Sequence, residues 1–278
     1  MLSYVTSAAW IAFALVELGE FDEAQVYLDK AQRAADESHH AYSQAIAWTI
    51  AGLAWMRRGS LEQAVQPLER SLETSREKHL AVWQPVPSSL LGLTFVLLGR
   101  KDEGLQLLEA GVSLTQKLGV KAYLALWTAH LAEGLLVAGQ REQAREVAER
   151  AVDLAFSHGE PGHQAWALRL VGEILSRGEP ADLERAEASY RLALDLAEDL
   201  GMRPLVAHCQ LGLGRIYRSK GDREKAEDYL TAATADFWQM DMRFWLRQAE
   251  RELTDLGQRF IVASENAGLY EWLTREFP

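Results

Sequence analysis

The sequence predicts an all-α solenoid of about six antiparallel helix pairs plus a C-terminal capping helix, and three observations predict it. Glycines recur at Gly19, Gly59, Gly99, Gly139, Gly178 and Gly221, separated by 40, 40, 40, 39 and 43 residues. Small residues keep a fixed register to those glycines. No stretch alternates apolar and polar residues between turn signals, as a half-buried strand would. A period this constant marks stacked helical units, each burying its apolar face only against its neighbours.

Each glycine separates an apolar stretch from a helix that opens with polar or acidic residues. Five residues after most of them stands a small residue: Ala24, Ala64, Gly104, Ala144 and Ala226. The fifth unit reaches its equivalent, Ala186, after a three-residue insertion around Glu179-Pro180-Ala181. Seven residues further on come Ala31, Ser71, Gly111, Ala151, Ala193 and Ala233. Seven residues is about two helical turns, so both small positions share a face on which another helix can approach closely. Between them Leu28, Leu68, Leu108, Ala148, Tyr190 or Leu230 extends the buried stripe. The preceding helix carries its own small position at Ala12, Gly52, Gly92, Ala132, Gly172 and Gly214, followed three residues later by Leu15, Trp55, Phe95, Leu135, Leu175 or Tyr217.

The expected first helices run over 4–18, 41–57, 83–98, 121–138, 162–177 and 203–220. The second helices run over 21–37, 61–78, 101–118, 141–157, 182–200 and 222–239. Pro85 and Pro87, Pro161 and Pro204 stand where a first turn tolerates proline. The repeats fall at about 4–40, 41–80, 81–120, 121–160, 161–202 and 203–240, with a capping helix over 241–256. Residues 1–256 therefore read as one solenoid, and 257–278 as a tail whose Leu269, Trp272, Leu273 and Phe277 suit a short amphipathic element.

Composition excludes several function classes. Twenty-nine basic against 40 acidic residues leave a formal net charge of −11, and no run of Lys or Arg offsets it, so nucleic acid is not an expected partner. The longest early apolar run, Ala8–Val16, is nine residues, too short to span a bilayer. No basic segment precedes it to make a signal peptide. One cysteine, Cys209, rules out an intramolecular disulfide framework and suits a reducing, cytoplasmic setting.

No residue pattern points to catalysis, a metal or a cofactor. His158, Glu160 and His163 lie in one loop, but without helical His-x-x-x-His spacing or a nearby cysteine they read as loop polarity. His208 and Cys209 are adjacent on a helix, pointing about 100° apart, which does not make a nucleophile–base pair. Cys209 reads as a small buried hydrophobe. Of the tryptophans, Trp55 and Trp245 fall on helical stripes and read as core.

The spacing of small residues resembles the tetratricopeptide repeat, whose signature places Gly or Ala in the first helix and two Ala in the second. That family's usual period is about 34 residues, against about 40 here. The stretches Gly162–Ile174 (GHQAWALRLVGEI), Ala186–Tyr217 and Met240–Ala249 (MDMRFWLRQA) resemble the C-terminal repeat region of bacterial signalling proteins that join a class III adenylate/guanylate cyclase domain, an AAA-type ATPase domain and such repeats. The likeness covers roughly residues 41–256 and stops at the repeats: neither a G-x-x-x-x-G-K-[ST] phosphate loop nor a cyclase segment is present.

The resemblance implies a right-handed superhelix whose first helices line a concave groove. Thr6, Ala9, Phe13, Ile46, Thr49, Leu53, Met56, Val86, Ser89, Leu93, Leu126, Ala129 and Leu136 then form an apolar end, and Trp166, Arg169, Glu173, His208, Arg215 and Arg218 an aromatic and basic one. The arginines suit a carboxylate-bearing peptide, since guanidinium binds carboxylate in bidentate fashion. The alternative is that they bridge acids within the solenoid. The asparagine of the family's chaperone-tail clamp is missing, so chaperone binding is not expected.

These readings predict a non-enzymatic protein-interaction scaffold or docking module that takes a peptide or helix in the groove. The other reading is a regulatory domain that senses a small ligand. An open groove would favour the first, a closed pocket near Trp166 and Arg215 the second. Leu2, Val5 and Trp10 are expected to be partly uncovered, which leaves the N-terminal repeat, like the C-terminal tail, open to self-association.

Overall fold

The computed structural model describes residues 2–178 and 180–257. Among them are thirteen helices and no strand. The pairs are α1 (Leu2–Leu18) and α2 (Phe21–Ser38), α3 (Ala41–Arg58) and α4 (Leu61–Glu77), α5 (Pro85–Leu97) and α6 (Lys101–Lys117), α7 (Leu124–Val137) and α8 (Arg141–His158), α9 (Pro161–Ser176) and α10 (Leu183–Asp199), and α11 (Arg203–Lys220) and α12 (Arg223–Gln239). A further helix, α13, covers 243–257. The all-α solenoid read from the glycine period is the fold observed. The proposed element around Leu269–Phe277 lies outside the described residues.

Two turns punctuate each unit, and both are chemically specified. Gly19, Gly59, Gly99, Gly139 and Gly221 have φ of 80° to 89°, the left-handed region open to glycine. At each, two amides cap the preceding helix: the Gly59 N–H reaches the Met56 carbonyl at 3.0 Å, and the Ser60 N–H the Trp55 carbonyl at 2.9 Å. This doubly bonded ending satisfies carbonyls that a helix end otherwise leaves unpaired. Gly178 departs from the set; there the insertion lets the Asp182 N–H reach back to the Leu175 carbonyl at 3.2 Å. The turns between units use the same device at His79, Gly119, Gly159, Gly201 and Asp241, all with positive φ; at His39, also left-handed, the second amide, His40 N–H, donates to Ser38 Oγ instead.

The small positions do what their spacing implies. Ala24, Ala31, Ala64, Ser71, Ala144, Ala151, Ala186, Ala193, Ala226 and Ala233 have no exposed surface. Where α5 crosses α6, a side chain on Gly92 would stand 2.8 Å from the Gly104 carbonyl oxygen, so two glycines permit a near-backbone contact.

The odd-numbered helices form an inner layer, each packed on the next odd one, while the even-numbered helices lie between and outside them. Composition explains the layering. Helices α3, α5 and α7 are apolar nearly all round and bury most of their residues, whereas α2, α4 and α8 bury only a stripe.

The inner layer closes on itself, because α1 also contacts α11. Gly19 abuts Met240, Pro204 and Arg203; Gly59 abuts Phe244 and Trp245 of α13. Arg58 donates to Asp241 at 2.7 Å and Arg203 to Glu20 at 3.4 Å. The expectation of a partly uncovered first helix is corrected at Val5, which is fully buried. The far end of the same chain meets the last turn of α1, where Gly19 abuts Met240 and Pro204, while Tyr4 and Ile11 stay exposed and Trp10 partly so. The capping helix likewise reaches beyond the sixth pair, to the turn between α3 and α4.

Candidate functional site

Two regions stand out inside the ring, one apolar and one polar. The apolar one is a cavity of about 170 Å³ at the end where α3, α5 and α7 begin. Trp10 and Phe13 come from α1, Tyr42, Thr49, Ile50 and Leu53 from α3, Trp83 from the turn before α5, and Tyr123, Leu126 and Trp127 from the start of α7. Six of its walls are aromatic, and no charged side chain lines it. Val82, at its mouth, is 65% exposed.

Local chemistry holds these walls. Tyr123 takes a left-handed φ of 62°, uncommon for a bulky residue, and its N–H donates to Glu160 Oε1 at 3.2 Å. That conformation stacks its ring between Trp10, at 6.2 Å, and Trp127, at 5.6 Å. It also delays α7 to Leu124, three residues later than the sequence suggested. Trp83 Nε1–H donates to Thr49 Oγ1 at 3.1 Å, and Thr49 Oγ1 donates to the Ala45 carbonyl at 2.8 Å. Glu160 also bonds His163 at 3.0 Å, so the polar loop serves to fix this wall.

The polar region fills the middle of the ring. Arg57 donates to Glu17 at 3.0 Å and lies 4.0 Å over the Trp166 ring, while Trp166 Nε1–H donates to the other oxygen of Glu17 at 3.0 Å. Arg169 bridges Glu133 at 3.0 Å and Glu173 at 2.7 Å. Arg177 joins Glu173 at 2.5 Å, Arg215 joins Glu252 at 2.8 Å, and Arg218 also binds Glu252. Burial alone would lower the Arg169 pKa; Glu133 and Glu173 outweigh it and hold it raised. Glu173 responds in kind, its carboxyl held below the usual range by the surrounding arginines despite burial.

Each residue of the predicted basic end can now be placed. Trp166, Arg169, Glu173 and His208 gather around the middle of the ring, and Arg215 and Arg218 sit one step outward against α13. All three arginines are bound to glutamates of the same chain. His208 packs edge-on to Trp245 at 4.5 Å and Phe237 at 5.2 Å. The apolar end converges on a cavity, since Phe13, Thr49, Leu53, Val86 and Leu126 line it together. The sequence reading missed Trp83, Tyr42 and Tyr123, which lie in turns or at helix starts where a first-helix register does not reach. Cys209 is fully buried, and burial pushes its thiol up to about 12, as expected of an inert core residue.

Burial, reinforced by Arg57, His163 and Arg169, keeps the His130 pKa well below the ordinary range; burial with Arg169, Arg57 and Arg215 does the same for His208. Both are neutral in the folded protein at pH 7, whereas in the unfolded chain they protonate near pH 6.5. Unfolding therefore takes up protons below that pH, and stability falls as pH falls. For His130, 3% exposed, the loss approaches about 1.4 kcal/mol per pH unit. Thermal melts at pH 7.5, 6.5 and 5.5 should show a falling Tm well above the carboxylate range. His130→Leu should flatten the slope.

The tetratricopeptide-repeat pattern matches residues 11–78 and again residues 207–235. No curated protein sequence matches the chain. Among solved structures, NprR in complex with its cognate peptide NprX is similar at a TM-score of 0.65 and 14% identity, over 96% of this chain and 75% of that one. A Rap protein complexed with competence and sporulation factor is similar at 0.64 and 12% identity, over 99% of this chain and 91% of that one. A signal-transduction ATPase with a tetratricopeptide-repeat sensor, from Pyrococcus horikoshii, is similar at 0.53 and 17% identity, over 90% of this chain but 38% of that one. The fold is that of a helical-repeat solenoid. The chain carries tetratricopeptide repeats over those two matched stretches. Among the described residues no helix is long and apolar enough to cross a membrane.

Proposed function

We propose that this protein is a non-enzymatic interaction module of a signalling system, working in the cytoplasm. In this reading its aromatic cavity receives an apolar side chain of a peptide partner. The observation that carries the proposal is the cavity itself: about 170 Å³, six aromatic walls and no charge, with an exposed mouth. Recognition sites are concave and mainly apolar, with a few polar groups to orient the ligand. Thr49 and Thr115 also line it, but their hydroxyls already donate to backbone carbonyls, so the cavity holds its ligand mainly through apolar contact. The peptide complexes among similar folds support the reading. The protein's own side chains fill the middle of the ring, so the peptide engages one end rather than the full length of the concave face. A second reading, a free small apolar ligand, is favoured by the cavity's size, since an apolar cavity of about 150 Å³ holds a benzene-sized molecule.

Peptides selected from a displayed random library on the wild-type protein should share one aromatic or large aliphatic residue. Leu53→Trp fills the cavity and should weaken them about 10- to 100-fold, the worth of burying one such side chain. Equal binding to both proteins, with Tm unchanged, would place the anchor elsewhere.

A further inference from the structure

The polar middle of the ring holds more hydrogen-bond donors than it uses. Arg57, Arg169 and His130 are 8%, 6% and 3% exposed, and each has one buried nitrogen without a protein partner: Arg57 Nη2, Arg169 Nε and His130 Nε2. Trp245 Nε1 is a fourth. His130 Nδ1 lies 3.0 Å from Ser89 Oγ; in the tautomer where serine donates, Nε2 carries the proton and is also a donor. Two small cavities, of about 30 and 10 Å³, adjoin these groups, and Arg57, Arg169, Glu133 and Trp166 line both. Buried donors are ordinarily satisfied, and four unsatisfied ones in one place call for an acceptor.

Charge and position say which acceptor. The network joins five arginines, at 57, 169, 177, 215 and 218, to four glutamates, at 17, 133, 173 and 252. Arg177 is half exposed and lies outside the two small cavities; at those cavities it is the unpaired N–H groups of Arg57 and Arg169, the cations that line both, that select an anionic acceptor. Leu126 lines both the aromatic cavity and the smaller polar one. On α3, Arg57 stands one turn beyond Leu53; on α7, His130 stands one turn beyond Leu126. The polar groups therefore begin about 5–6 Å from the apolar cavity along both helices.

We propose that these donors bind a carboxylate whose apolar body occupies the aromatic cavity. The ligand class is an arylalkanoic or short aliphatic acid, or the C-terminal residue of a peptide with an apolar side chain. The inference rests on the cavity being a binding site and adds the chemistry of its second half. Arg57 Nη2 and Arg169 Nε supply charge-assisted bonds, and His130 Nε2 a neutral one.

Calorimetric titration of the full chain tests it with two probe pairs. The first is 3-phenylpropionate against 3-phenyl-1-propanol; the second is acetyl-Gly-Gly-Phe with a free or an amidated C-terminus. The free acid of at least one pair should bind at least about tenfold tighter than its neutral partner. Arg57→Lys, which keeps the charge opposite Glu17 but loses Nη2, and His130→Leu should each reduce that preference, with melts confirming that both variants fold. Preference in the first pair alone identifies a free acid as the source; preference in the second identifies a peptide terminus. Equal binding of acid and neutral probe overturns the carboxylate site and leaves the cavity reading standing. So does a preference unchanged in both variants. No binding by any probe removes both readings.

Discussion

Arg169→Leu is expected to lower the unfolding free energy by about 3–5 kcal/mol, the usual cost of deleting one member of a buried ion pair. Arg169 is 6% exposed and is the cation nearest Glu133, at 3.0 Å. Glu173 keeps Arg177 and, at 3.9 Å, Arg215, so the loss concentrates on Glu133. Leucine fills much of the volume but leaves that carboxylate, 20% exposed, without its ion-pair partner. Adding Glu133→Leu should recover much of the loss, because an apolar replacement of a whole buried pair is often nearly neutral. Urea denaturation followed by circular dichroism measures both. A single-variant cost below about 1 kcal/mol would mean that Glu133 is solvated and the ring's middle is wet.

Gly212→Ala is expected to cost about 2–3 kcal/mol, although alanine is the better helix former by about 1 kcal/mol. The added carbon would overlap the Tyr190 ring, and the ring cannot retreat. On its other side a carbon on Gly172 would already stand 2.7 Å from Tyr190 Cδ2. Other units hold leucine or alanine where Tyr190 stands, and tryptophan, isoleucine, leucine or histidine where Gly212 stands. Where the fifth and sixth units meet, bulk has moved from α11 to α10. Tyr190→Leu together with Gly212→Ala should therefore cost less than the sum of the two single changes, a coupling that a double-mutant cycle reads directly.

That exchange marks where the sequence stops being legible. Helix order, the glycine turns and every small buried position follow from spacing, because they depend on contacts between successive helices. The second set of turns escaped because His39, His79 and Asp241 carry the left-handed conformation that glycine carries elsewhere. Ring closure left no local trace at all: Arg58 and Asp241 are 183 residues apart, and nothing near either announces the other. For the same reason the arginines of the basic end were found but not their partners. Glu133 and Glu252 look like solvated helix residues until the superhelix brings them inward. The aromatic cavity was half visible, in Phe13, Thr49, Leu53 and Leu126, and half hidden in the turns that hold Trp83 and Tyr123.

An open helical array can lengthen or shorten by whole units, since a duplicated unit finds the same neighbour surface as its parent. A closed one cannot. Here Gly19 meets Met240 and Arg58 meets Asp241 only because six helix pairs complete the circuit. One pair more or fewer would carry the last helices past those partners and split the cavity walls drawn from α1, α3 and α7. Duplication or loss of a unit, a ready route of change for open arrays, is thereby barred to this one. Its variation is confined to substitutions and to insertions in outer turns, such as the three extra residues after Gly178.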